Sequence, residues 1–405
     1  MSIRPAGRGY RARSPRASVQ VVDSILGNCS PDQLARRKSF KWRTYPADVL
    51  PAFVAEMDFT AAEPIGDAVR AALTIGDTGY PHVGELGAAF AEFAAGRLGW
   101  TPNSEWVFAV PDVMTGIVEM LLATTPHGSG VVINPPVYGP FYFRLGFIGR
   151  RIVEAPLQLL PDGRYELDFD AIDRALASPD VAAYLLCSPH NPVGNVWRAD
   201  QLATVADLCL EHEVELLVDE IHAPLTMPGN RFVPFGSIGH AMNERAFIFS
   251  AASKGWNIAG LKCAVAIAGS AQTAQVIAER WEALLCSHLG LLASVAAFTE
   301  SLPWLDAVVA QIDANRRLLD RLVRERLPGV RYAPGSATFL AWLDCRNLGL
   351  GGDPAVAFLE RGRVALSPGS EFGAQGAGFA RLNIGTSPEL VTEAVARMAA
   401  AVPPE

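Results

Sequence analysis

Residues 181–194 read VAAYLLCSPHNPVG. An unbroken, mostly apolar run closes on a turn made of two prolines, Asn191 and Gly194. A short run that does not alternate with polar residues is what a strand buried on both faces of a parallel sheet requires. Pro, Asn and Gly are the residues that stop such a strand at the sheet edge. The pattern recurs at WVFAV (106–110), GVVI (130–133), VELLV (214–218), AFIF (246–249) and CAVAIA (263–268). Helical stretches fall between several of these, such as ADQLATVADLCLEH (199–212), whose apolar positions repeat every three or four residues. This alternation predicts an α/β domain around a mostly parallel sheet.

The character changes after residue 295. QIDANRRLLDRLVRERL (311–327) reads as an amphipathic helix stopped by Pro328-Gly329, followed by strand candidates at 330–332, 338–343 and 380–384 and a closing helix at 388–401. The expected organisation is therefore a large domain over 61–295 and a smaller α+β domain over 296–405, which residues 21–60 join. Residues 1–20 carry five arginines and no apolar stretch of the kind a secretory signal needs, and are expected to be a solvated, disordered leader. Neither an internal repeat nor a low-complexity tract interrupts the chain.

Bulk properties narrow the class. The chain has 405 residues, half of them hydrophobic and 19% charged, with a mean hydropathy of +0.19. That composition belongs to a globular chain with a substantial core. A formal net charge of −8 argues against nucleic acid as a partner and for a small molecule. No segment has the length and apolarity of a membrane span. The six cysteines, Cys29, Cys187, Cys209, Cys263, Cys286 and Cys345, are widely separated and lack metal-ligand spacing. They are expected to be reduced thiols in a cytoplasmic protein, with no metal site.

Chemistry-bearing residues gather just after the strands. In open α/β sheets, ligands bind at the carboxyl ends of strands. Four such loops stand out: Ser188 to Gly194 (SPHNPVG), Asp219-Glu220-Ile221-His222, Ser253-Lys254-Gly255-Trp256-Asn257, and Pro135-Pro136-Val137-Tyr138. Each alone has an ordinary explanation as a turn, a helix cap or a solvated lysine. Four in succession on one α/β domain point to a binding site.

The order SPHNPVG, VDEIH, SAASKGWNIAGLK and RLNIGT resembles the fold-type-I pyridoxal-phosphate enzymes of the class I/II aminotransferase superfamily. More narrowly, RRKSFKWRTYP, VAEMDFTAAEPI, GDTGYP and DEIHAPL resemble the cystathionine β-lyase (C–S lyase) branch of MalY/PatB type. The likeness runs from about residue 37 to 398. It implies a large domain with a mostly parallel seven-stranded sheet, a homodimer with a shared active site, and pyridoxal 5′-phosphate as cofactor.

Roles follow from that resemblance. Lys254 would carry the cofactor and then act as the base at the substrate Cα, which calls for an amine whose pKa is lowered by desolvation and a nearby cation. Asp219 would pair with the pyridine nitrogen, Asn191 would donate to the ring oxygen O3′, and Tyr138 would stack on the ring. The backbone amides of Val113 and Met114, together with Lys262, would hold the phosphate. Tyr80 would reach the phosphate of the neighbouring subunit. Arg381 would take the substrate α-carboxylate, to which a planar guanidinium is suited. His222 would either lie at the ring edge or cap a helix. Ala251 stands where the superfamily has a phosphate-binding Ser or Thr. Unless Ser250 or Ser253 compensates, one hydrogen bond worth on the order of 1–2 kcal/mol is lost.

The expected reaction is β-elimination from cystathionine or another S-substituted cysteine, giving thiol, pyruvate and ammonia. An aminotransferase, or a relative that couples decarboxylation to oxidative deamination of an S-conjugated cysteine, would use the same residues. A catalytically silent binding protein is disfavoured by the intact set of Lys254, Asp219, Asn191 and Arg381.

Overall fold

A computed structural model describes residues 26–403 except Asn28. The arginine-rich leader lies outside the described residues. The central sheet contains seven strands: β1 (Val107–Val110), β2 (Gly130–Ile133), β3 (Arg151–Glu154), β4 (Val181–Cys187), β5 (Glu215–Asp219), β6 (Phe247–Ser250) and β7 (Ala264–Ala268). Their order is β1-β7-β6-β5-β4-β2-β3. All neighbours are parallel except β7, which runs antiparallel to both β1 and β6. Strands β2, β6 and β7 are buried at every position, which is why their sequences do not alternate. Two apolar clusters form the core, and neighbouring residues of β4 divide between them, Tyr184 and Leu186 going to one and Leu185 and Cys187 to the other.

Registry across the sheet aligns the strand ends. Cys187 sits opposite Asp219, and Asp219 opposite Phe249. The loops that follow β4, β5 and β6 thus leave the sheet side by side. Helix α1 (Val113–Thr124) follows β1, α2 (Pro140–Phe147) follows β2, and α3 (Ala199–Glu211) links β4 to β5.

A second sheet holds β8 (Arg331–Tyr332), β9 (Leu340–Asp344), β10 (Ser367–Pro368) and β11 (Phe379–Asn383) in the antiparallel order β8-β9-β11-β10. The long helix α4 (Leu302–Arg326) and the closing helix α5 (Pro388–Ala401) pack together beside it. The N-terminal segment joins this part of the molecule. Leu50–Pro51 pairs parallel with Val364–Ala365, and Asn383 N donates to Ala52 O at 2.9 Å. Lys41 and Asp58 form a buried ion pair at 2.7 Å that holds the end of the segment in place.

One strand and two larger boundary shifts depart from the sequence pattern. Strand β3 was not expected, because RIVE carries a charge at each end and lies at the sheet edge with both ends exposed. Helix α4 begins nine residues before the amphipathic stretch at 311; Trp304, Leu305, Ala307 and Val308 are buried there, so that turn shows little polar face. Strand β9 starts at Leu340 rather than 338, since Thr338 has a φ of +68° and cannot continue a strand.

Candidate active site

The parallel strand ends open into a cavity of about 330 Å³. Its walls include Tyr138, Asn191, Asp219, His222, Ser253, Lys254, Lys262, Val113 and Met114. Lys254 sits on the short helix Ala252–Gly255 after β6. Trp256 anchors that loop: it is fully buried, its indole N–H donates to Ser301 O at 3.0 Å, and its ring meets Phe93 and Phe298 edge-on. Asn257, at φ +59°, exchanges two hydrogen bonds with the backbone of Met57, at 2.7 and 2.8 Å. The Lys254 amine donates to Ala55 O at 2.9 Å. Burial, then the positive charge of Arg381, brings its pKa down to about 8, against a smaller opposing pull from Asp219.

Asp219 ends β5 with its carboxyl group buried. Its Oδ1 accepts from Ile221 N at 3.1 Å, the single hydrogen bond to that carboxylate among the described residues. Burial raises its pKa to about 6, opposed by the Ile221 amide and by Lys254. A buried carboxylate with so few donors is suited to a cationic partner such as a protonated ring nitrogen.

Arg381, on β11 of the second sheet, reaches the same place. Nη1 donates to Asn191 Oδ1 at 3.1 Å, and Nη2 donates to Phe53 O at 3.0 Å and Ser367 Oγ at 3.1 Å. The guanidinium lies 4.7 Å from the Phe372 ring centre, and burial lowers its pKa to about 10. Because Arg381 takes the Asn191 carbonyl, the Asn191 amide group is the part left to donate.

Val113 and Met114 open α1, where the first amides have no intrahelical acceptor. Lys262 faces that end and is ion-paired with Asp112, which caps the helix by accepting from Thr115 N at 2.8 Å. Ala251 is buried and has no hydroxyl to offer. Of the two serines near it, Ser253 lines the cavity, while the buried Ser250 hydroxyl has no partner among the described residues. Tyr138 meets Phe141 edge-to-face at 5.7 Å, and burial pushes its phenol pKa up.

His222 stands at the N-cap of the short helix Ala223–Leu225, where its carbonyl accepts from Leu225 N at 2.9 Å; its side chain makes no capping bond, lines the cavity, and has no partner at Nδ1 among the described residues. Burial, with Lys254 and Arg381 nearby, lowers its pKa to about 3, so the ring is neutral. Tyr80 is 91% exposed and does not line the cavity within its own chain; it borders an apolar groove with Phe108, Trp281 and Leu285.

The sequence reading missed the carbonyls of Phe53 and Ala55, the clamp by Asn257, and Asp112. Backbone acceptors leave no trace in side-chain pattern. Asn257 and Asp112 did carry signals, an Asn in the lysine loop and an Asp directly before an apolar helix.

Among the described residues no single helix is long and apolar enough to cross a membrane. The five cysteines other than Cys29 are buried, and all six are free.

The family model for aminotransferase class I and II matches residues 59–398. A Mycobacterium leprae protein provisionally named cystathionine beta-lyase is 44% identical over 94% of this chain and 99% of its own. The cystathionine beta-lyase PatB of Bacillus subtilis is 35% identical over 88% of this chain and 93% of its own. The crystal structure of cystalysin from Treponema denticola, which contains pyridoxal 5′-phosphate, superposes with a TM-score of 0.86 at 27% identity, covering 93% of this chain and 98% of that one.

Proposed function

Since the chain belongs to the class I and II aminotransferase family, we propose that it is a pyridoxal 5′-phosphate-dependent C–S lyase. It would cleave cystathionine or another S-substituted cysteine, with water, to a thiol, pyruvate and ammonia. The observation that carries this reading is the meeting, around one cavity, of a lysine brought to about pKa 8, a buried carboxylate and a buried arginine. The choice of carbon–sulfur cleavage rests on the relatives named above.

The residues fit the cofactor. Asp219 would face the ring nitrogen, Asn191 the ring hydroxyl, Tyr138 the ring plane, and the α1 amides with Lys262 the phosphate. When bound, the cofactor supplies an electron-withdrawing ring that accepts the electron pair freed at the substrate Cα.

The chain supplies the rest. Arg381 binds the α-carboxylate and so fixes which Cα bond faces Lys254. Lys254, with a pKa near 8, is neutral in useful proportion near neutral pH and removes the Cα proton. That proton is then held on the Lys254 ammonium, from which it can be returned to the departing thiolate. Neutral His222 adds no charge that would compete with Arg381 for the carboxylate.

The protein works as a homodimer in this reading. The exposed Tyr80 and the apolar groove beside it form the face that a second copy covers. Five buried free thiols fit a reducing, cytoplasmic setting.

The test incubates the cofactor-loaded protein with cystathionine alone and assays pyruvate and thiol. Release of both supports the reading. Turnover that requires an added keto acid would make the protein an aminotransferase instead. Lys254→Ala should also lose the visible absorbance that borohydride bleaches in the unmodified protein.

A further inference from the structure

Resting on that cofactor reading, we propose that Asp112 is a built-in competitor of the cofactor's phosphate, so that this chain holds pyridoxal 5′-phosphate loosely and a neutral residue at 112 tightens it. Asp112 stands at the N-cap of α1, directly before the Val113 and Met114 amides, and borders the same cavity as Lys254. One oxygen is fixed against the helix and the other takes Lys262, a group an incoming phosphate would need. Oδ1 accepts from Thr115 N at 2.8 Å, and Oδ2 pairs with the Lys262 ammonium.

The carboxylate stays charged. Burial works against its ionisation, but the bonds from Lys262 and Thr115 hold its pKa below the ordinary carboxylate value. A phosphate monoester carries nearly two negative charges at neutral pH. Docked on the α1 amides, it would meet a fixed negative charge within the same turn. Lys262, which should neutralise it, must first give up Asp112. Lys262 is also held in place for this exchange: its φ of +56° is a strained backbone for a lysine, and its carbonyl accepts from Ser287 N at 3.1 Å.

The loop before Lys254 adds little to offset the repulsion, Ser253 being its hydroxyl on the cavity. Ala251 supplies no hydroxyl, and the Ser250 hydroxyl is buried without a partner. Two helix amides and a lysine shared with Asp112 are what this end of α1 offers a phosphate.

The experiment compares Asp112→Asn and Asp112→Ser with the parent protein, since both residues still cap the helix. Apo-protein is titrated with pyridoxal 5′-phosphate and, separately, with pyridoxal, which lacks the phosphate. Both variants should bind pyridoxal 5′-phosphate more tightly, by on the order of tenfold for the removal of one close like charge. Their affinity for pyridoxal should stay at the parent value. Unchanged or weaker binding of the phosphorylated form overturns the proposal. So does a parallel change for both ligands, which would mark Asp112 as a prop of the fold. If the parent protein binds neither ligand, and Lys254→Ala behaves like the parent, then the cofactor reading fails and takes this inference with it.

Discussion

Arg381 donates to Asn191 at 3.1 Å, joining a strand of the second sheet to the loop that ends a strand of the first. The proposed anchor for the substrate carboxylate and the proposed donor to the cofactor ring are thus one hydrogen-bonded unit. Anything that moves one moves the other.

Arg381→Lys tests that unit. A lysine has one nitrogen and cannot reproduce bonds to Asn191, Phe53 O and Ser367 from two separate arms. Loss of one or two buried charge-assisted bonds predicts a fall in kcat/KM of roughly 10- to 100-fold, mostly through KM. Steady-state pyruvate release measures it; kinetics within twofold of the parent would sink the assignment.

The titration of Lys254 gives a second test, read on the apo-protein. Burial and Arg381 lower the lysine pKa to about 8, and Asp219 pulls it upward. The rate of reductive methylation at Lys254, followed by mass spectrometry, should therefore rise through pH 8. In Arg381→Gln a cation that favours the neutral amine is gone, so the midpoint moves to higher pH. In Asp219→Asn an anion that favours the ammonium is gone, so it moves to lower pH. Shifts in the same direction would contradict this account.

Glu220, beside Asp219, predicts a stability effect. It is buried, accepts from Phe235 N at 2.7 Å, and burial raises its pKa to about 8. A carboxyl raised in the folded state contributes stability that is full below its unfolded pKa of about 4.3 and is lost as pH rises through 8. Glu220→Gln keeps the acceptor without the charge. Its unfolding temperature should match the parent near pH 4 and exceed it increasingly toward pH 8. A difference independent of pH would refute the point.

How much of this was legible in the sequence depends on what each feature is made of. The strands of the large sheet showed because both faces are buried, and their loops showed because Lys254, Asp219 and Asn191 follow them directly. Edge strand β3 stayed hidden because its two end residues are charged and face water. The role of residues 53–57 stayed hidden too, for its contribution is carbonyl oxygens, which every residue has. His222 could be located but its environment could not, since neutrality depends on charges from Lys254 and Arg381 that come together only in three dimensions.

The Lys41–Asp58 pair supports those carbonyls. The Lys41 ammonium also donates to Glu56 O at 3.0 Å, and the Trp42 indole donates to Asp58 at 3.0 Å. Lys41→Met leaves Asp58 buried with a partial set of donors and should cost about 3–5 kcal/mol, measured by urea denaturation. A loss below about 1 kcal/mol would show that the Trp42 indole and the Arg37 guanidinium, 4.0 Å from the Asp58 carboxylate, suffice.

The bond from Arg381 to Phe53 O spans 328 residues, and that from Lys254 to Ala55 O spans 199. A ribosome releases the chain from its amino end, so the Ala55 carbonyl stays unfilled until residue 254 has been made, and the Phe53 carbonyl until residue 381. Until then the reactive lysine has no finished pocket. A product cut short before residue 381 holds every strand of the large sheet in its sequence yet lacks the arginine that would orient an amino acid, so in this reading the chain's chemistry waits on its second sheet.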